Sequence, residues 1–175
     1  MLLVDFINDL DFADGKRLLP QALTAARATA ILKRSARTAG VPVIYANDNF
    51  GRWQSSFEQV VAHCMRKVSL GRAITAALKP LKDDYFILKP RHSAFYQTPL
   101  SLLLEDLGAK TLIITGVLTD SCVLFSANDA YLRGYKIVVP RECVASLEAT
   151  HSEEALDYMR RSLKADTRLG EQVKF

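Results

Sequence analysis

Apolar residues along this chain fall into short unbroken runs, separated by longer stretches in which apolar positions recur every three or four residues. Leu2, Leu3 and Val4 form the first run and stop at Asp5, ahead of a polar, Asp-rich loop over 8–15. A run without alternation suits a strand covered on both faces. Further β-rich runs at 41–46, 85–88, 111–115 and 136–139 predict four more strands, and 165–168 a sixth at the sheet edge. Between them the spacing predicts helices. The first covers 20–39, with Pro20 in its first turn and Gly40 just past its end. A second is opened by the capping box Ser55 to Glu58, and its apolar face is Phe57, Val60, Val61 and Cys64. Gly71 ends it, and a short helical piece follows over 72–78, stopped by Pro80. Thr98-Pro99 opens another helix, which turns Leu100, Leu103, Leu104 and Leu107 to the sheet and closes at Gly108. The next runs over 120–133 to Gly134, with Thr119 as its N-cap, and the box Thr150 to Glu153 opens the last. Strands alternating with helices through short loops predict an α/β fold. The expected architecture is a three-layer α/β/α domain over 1–175, with a six-stranded, mainly parallel, Rossmann-like open sheet.

Composition narrows the class without naming it. A chain of 175 residues, 49% hydrophobic and 24% charged, is enough for one core. The formal charge of +4 is mild and its basic residues are scattered along helices, which argues against nucleic acid. No run approaches the length of a membrane span, and MLLVDFINDLDF lacks the basic segment and cleavage site of a secretory leader. A cytoplasmic protein with no membrane partner is expected. Three cysteines, without C-x-x-C or Cys/His spacing, predict reduced thiols rather than a disulfide framework or a zinc site. His63, His92 and His151 share no ligand spacing either.

Ligands of open α/β sheets bind beyond the carboxyl ends of the strands. Three of the predicted strands end there on reactive residues: Asp5, Lys89 and, past Gly116 and a Thr-Asp-Ser turn, Cys122. A cysteine in a helix's first turn sees unpaired N–H groups and the positive end of the dipole, which favour thiolate. A nearby lysine would lower its pKa further, and an aspartate could take its proton and pass it to a leaving group. The turn also offers the backbone N–H groups of Leu118 and Cys122 to a developing oxyanion. Taken alone, Cys122 reads first as a small buried hydrophobe and Lys89 as a solvated strand-end lysine; Asp5 could merely cap its loop, but an aspartate ending a fully apolar strand already points to chemistry. Cys64 and Cys143 read as core. Around the three strand ends, Asn49 could bond a substrate or simply turn the chain. His92, Trp53 and Phe95 could line a pocket, and for Tyr131 core packing or a subunit contact serves as well.

LLVDFIND, LKPRHSAF and ITGVLTDSCV, in that order, resemble the three signature segments of the isochorismatase-like cysteine hydrolases, and the similarity extends over nearly the whole chain. The resemblance implies a catalytic triad of Asp5, Lys89 and Cys122, a non-proline cis peptide at Val117-Leu118, and attack by the thiol on an amide-type carbon with loss of ammonia or an amine. It also implies a homodimer or homotetramer acting on a small molecule. Nicotinamidase-type members place Asp and His metal ligands after the second strand, where this chain has Asn47 and Asn49, so no metal and no cofactor is expected. Ile7 stands where many members carry Gln. Members acting on isochorismate lack the cysteine nucleophile, so Cys122 favours a C–N bond, amide or carbamoyl, over a vinyl ether. A non-catalytic binding module is the rival from another class; it would leave Asp5 and Lys89 well away from the sulfur.

Overall fold

The computed structural model describes residues 1–48 and 56–175; the predicted capping residue Ser55 and the pocket candidates Asn49 and Trp53 lie outside the described residues. Strands β1 (Leu2–Val4), β2 (Ile44–Asp48), β3 (Tyr85–Lys89), β4 (Thr111–Val117), β5 (Lys136–Val138) and β6 (Val144–Ala145) form one sheet. Its order is β3-β2-β1-β4-β5, β6 pairs with β4, and every pairing is parallel. Alternate residues of the central strands enter two separate cores. Leu3, Tyr45 and Ile113 face α1 (Gly15–Thr38), α2 (Phe57–Cys64) and α3 (Arg72–Ala77). Leu2, Val4, Ile44, Ala46, Leu112 and Ile114 face α4 (Leu100–Asp106), α5 (Leu124–Leu132) and α6 (Ala149–Ser162). This is the expected three-layer arrangement, in which both faces of β1 are dry and its run needs no alternation.

Several boundaries differ from the sequence expectation for physical reasons. The sixth strand is Val144–Ala145; residues 165–168 contribute only a parallel bridge from Asp166 to Val138. Helix α1 begins at Gly15, five residues before Pro20. Leu18 already belongs to its buried stripe, and Pro20 sits on the exposed side, where it removes only the bond to the carbonyl of Lys16. A Cβ on Gly15 would lie 2.0 Å from the carbonyl oxygen of Leu10, so this helix start and the loop after β1 are pressed together. The N-cap of α2 is Ser56, whose hydroxyl accepts from the Gln59 N–H at 3.2 Å. Helix α6 starts after Glu148 with no side-chain cap, which puts Thr150 inside its first turn rather than at its cap.

A buried ion network fastens α1 to the sheet. Lys33 Nζ donates to Asp84 Oδ2 and to the Tyr45 hydroxyl, each at 2.7 Å, and that hydroxyl donates to the Leu78 carbonyl at 2.7 Å. Arg37 bonds the second oxygen of Asp84 at 2.5 Å. The Lys33 charge is thus paired and hydrogen-bonded, the condition under which a buried ammonium is tolerated. Among the described residues no helix is long and apolar enough to cross a membrane.

Candidate active site

The site is built at the carboxyl ends of β1, β3 and β4, where Asp5, Lys89 and Cys122 meet. β1 and β4 approach closely because Gly116, paired with Val4, has no side chain: a Cβ there would lie 2.2 Å from the Val4 carbonyl oxygen, and its φ is +143°. Asp5 follows with a left-handed φ of 52°. Its Oδ1 accepts from the Asp48 N–H at 2.7 Å and its Oδ2 from Lys89 Nζ at 2.8 Å. Lys89, completely buried, also donates to the Arg91 carbonyl at 3.1 Å and reaches Cys122 Sγ at 3.5 Å. One ammonium therefore touches both the carboxylate and the thiol.

Cys122 is delivered by a wide turn rather than by regular helix. After the Val117-Leu118 peptide, which is cis, residues Thr119–Val123 form a single π-helical turn leading into α5. The Val123 N–H donates to the Leu118 carbonyl at 3.1 Å. Leu118, in extended backbone, is the N-cap in place of the expected Thr119, whose hydroxyl instead pairs with that of Ser152 at 2.9 Å. A second tie holds the turn to β6: the Ser146 hydroxyl donates to Asp120 Oδ1 at 2.6 Å and accepts from the Asp120 N–H at 3.3 Å.

The electrostatics correct one expectation. Burial, with the negative charge of Asp5 next, pushes the Cys122 thiol up to about 12, and Lys89 only partly opposes this. The buried Cys64 and Cys143 thiols are also pushed up to about 12. Cys122 is thus a neutral thiol at rest rather than a preformed thiolate. Desolvation outweighs the attraction of Lys89 and raises the Asp5 carboxyl above the usual range, making it a stronger proton acceptor. Burial alone would lower Lys89, but the charge and hydrogen bond of Asp5 hold it above the ordinary lysine value, so it stays an ammonium.

His92, on the loop after β3, is exposed and stacks on the Phe125 ring at 5.7 Å between centroids. Its Nδ1 lies 3.7 Å from Cys122 Sγ and 3.4 Å from the Ser121 hydroxyl. Phe95 does not join it. That ring is 4% exposed in the core, under the Arg133 guanidinium at 4.8 Å and beside Tyr135. Asn47 is buried, and its Nδ2 donates to the Ile7 carbonyl at 2.8 Å. Its Oδ1 is buried without a hydrogen-bond partner among the described residues; it is a neutral amide oxygen rather than a carboxylate, and no step below runs through a metal. Among the described residues no group of three or more His, Cys, Asp or Glu could hold one.

Ser126 was not singled out from sequence. Its hydroxyl donates to the Cys122 carbonyl at 2.7 Å and accepts from the Ala94 N–H at 2.9 Å, coupling the nucleophile turn to the Lys89 loop. Ser93 adds a bond to Asp129 Oδ2 at 2.5 Å. Position 126 lies one helical turn after Cys122, and that spacing was the available signal.

With this geometry in place, comparison with known proteins decides the family. A model of the isochorismatase domain matches residues 1–168. The chain belongs to the isochorismatase family. Among isochorismatase relatives, the uncharacterized family protein YaaI of Bacillus subtilis is 39% identical over 173 residues, 99% of this chain and 94% of that protein. The maleamate amidohydrolase of Pseudomonas putida is 27% identical over 167 residues, covering 89% of this chain and 76% of that enzyme. The crystal structure of the nicotinamidase SaPncA from Staphylococcus aureus superposes with a TM-score of 0.73 at 27% identity, covering 98% of this chain and 96% of that one. The isochorismatase fold expected from the three signature segments is therefore the fold of this chain.

Proposed function

We propose that this protein is a metal-independent cysteine hydrolase that cleaves an amide or carbamoyl C–N bond of a small molecule through a thioester on Cys122. The observation that carries this reading is the chain of contacts from Asp5 to Lys89 at 2.8 Å and from Lys89 to Cys122 Sγ at 3.5 Å. A non-catalytic binding module has no use for a buried acid, cation and thiol brought together. The names of the maleamate amidohydrolase and the nicotinamidase point to the same class of bond.

In this mechanism the thiol proton passes to Asp5 as Sγ attacks the carbonyl carbon. A neutral thiol beside a carboxylate of raised proton affinity favours transfer during attack rather than before it. The N–H groups of Leu118 and Cys122 receive the oxyanion. Asp5 returns the proton to the departing nitrogen, the C–N bond breaks, and water then resolves the thioester. Lys89 stays charged throughout and limits the negative charge on Asp5 and sulfur. A screen for ammonia release over small amides and carbamoyl compounds, with Cys122→Ala in parallel, tests the reading. Turnover of a hit by the alanine variant at the wild-type rate refutes the covalent mechanism, and pyruvate release from isochorismate in place of ammonia release refutes the choice of bond.

A further inference from the structure

We propose that Ser146 keeps the oxyanion hole open by holding the Asp120 carboxylate away from the Cys122 N–H. The inference rests on the covalent reading above and names a residue on which its charge stabilisation depends. Strand β6 pairs Val144 with Gly116 and Ala145 with Val117, so the register carries Ser146 to the level of Leu118, the N-cap of the nucleophile turn. Ser146 is 1% exposed and meets Asp120 twice. Its hydroxyl donates to Oδ1 at 2.6 Å and accepts from the backbone N–H at 3.3 Å. The other Asp120 oxygen lies 3.8 Å from Nδ1 of the exposed His151, a looser hold.

A carboxylate in the first turn of a helix competes for the N–H groups there, and an aspartate bonds readily to the N–H two residues on. Two residues on from Asp120 is Cys122. Other N–H groups of the turn are already engaged: Asp120 with Ser146, and Ser121 and Val123 with the Leu118 carbonyl at 3.2 and 3.1 Å. A released Asp120 carboxylate would thus meet the N–H assigned above to the oxyanion, and set a negative charge where one has to develop. Ser146 gives that carboxylate a buried hydroxyl instead. It acts through Asp120, as a positioning residue. Both halves of the reaction pass through a tetrahedral oxyanion, one as the thioester forms and one as water resolves it, so both depend on the same N–H.

The test uses p-nitrophenyl acetate, whose acetyl group passes to Sγ as p-nitrophenolate leaves, and from Sγ to water as acetate. Wild type, Ser146→Ala and the double variant Ser146→Ala/Asp120→Ala are followed by the p-nitrophenol burst and by mass spectrometry of the Cys122 peptide. Burst size counts folded sites, and the rate constants for gain and loss of acetyl report the two steps. In Ser146→Ala both rate constants are expected to fall about 10-fold or more at a burst of wild-type size, and in the double variant both return to within about threefold of wild type. A merely structural Ser146 would leave the double variant no faster than the single, since both lack the hydroxyl, and that result overturns the proposal. So do rate constants in Ser146→Ala within about threefold of wild type, or a reduced burst with unchanged rate constants. Absence of any acetyl group on Cys122 in wild type would sink the covalent reading itself, and the proposal with it, so the two failures are told apart.

Discussion

Replacing Asp5 by Asn removes the carboxylate paired with the Lys89 ammonium, which has no solvent exposure and otherwise donates to the Arg91 carbonyl and reaches the Cys122 thiol. Replacing Lys89 by Met leaves the Asp5 carboxyl, whose proton affinity burial already raises, without the cation that opposes the rise. Breaking a buried pair from one side costs about 3 to 5 kcal/mol, whereas removing both charges together is often neutral or stabilising. Each single variant is therefore expected to lose about 3 kcal/mol or more, a fall in Tm of roughly 6 to 12 °C for a chain of this size. The double variant Asp5→Asn/Lys89→Met is expected to return to within about 1 kcal/mol of wild type and to remain inactive. Acidification supplies an internal control. A carboxyl whose folded pKa is raised contributes stability that is present below its unfolded pKa and is lost as pH rises through the folded value. In Lys89→Met the rise is larger, so that variant should regain stability on acidification at a higher pH than wild type does, and Asp5→Asn should lack this term. Urea melts across pH 4 to 8 measure all of this. Single-variant losses that simply add in the double would refute the view that the two charges are kept for chemistry at a cost that only their pairing offsets.

Iodoacetamide near neutral pH is expected to label Cys122 before Cys64 and Cys143, because all three thiols are pushed up to about 12 and only Cys122 reaches solvent; equal labelling by peptide mapping would contradict the burial. The same raised values give a stability that is complete below about pH 9 and falls as pH rises toward 12, by up to about 4 kcal/mol for each fully buried thiol. Cys143→Ala should show a shallower alkaline loss in urea melts than wild type, and an identical slope would refute it. Gly116→Ala puts a Cβ 2.2 Å from the Val4 carbonyl oxygen at a φ of +143°, so it should yield insoluble protein or lower Tm by roughly 10 °C; a wild-type melt would contradict the close approach of β1 and β4.

The sheet and its two helical layers were legible because dry strands write themselves as unbroken apolar runs and helices as three- and four-residue spacing. Leu2 to Val4 and 111–115 are of the first kind, Leu100 and Leu104 of the second. Strand β6 escaped because two paired residues carry no period at all, and the attractive run at 165–168 makes one bridge only. The start of α1 was hidden by Pro20, a residue as common in a first turn as it is tolerable on an exposed helix flank. Asp5, Lys89 and Cys122 were readable as strand ends carrying chemistry, and the structure brings them together. The state of the thiol was not readable, since it depends on how much burial outweighs one lysine. Nor was the fate of Phe95, which sits three residues beyond His92 yet turns into the core under Arg133.

The Ser126 hydroxyl, bonded at once to the Cys122 carbonyl and the Ala94 amide, has a mechanical consequence. A helix that drifts with temperature or with an occupant in the cleft normally changes the spacing between groups carried on different segments. Here α5 drags both segments by one atom, so its displacement is common to the sulfur and to the loop that follows Lys89. Movement of α5 is then felt at Ala94 and at the Cys122 carbonyl together.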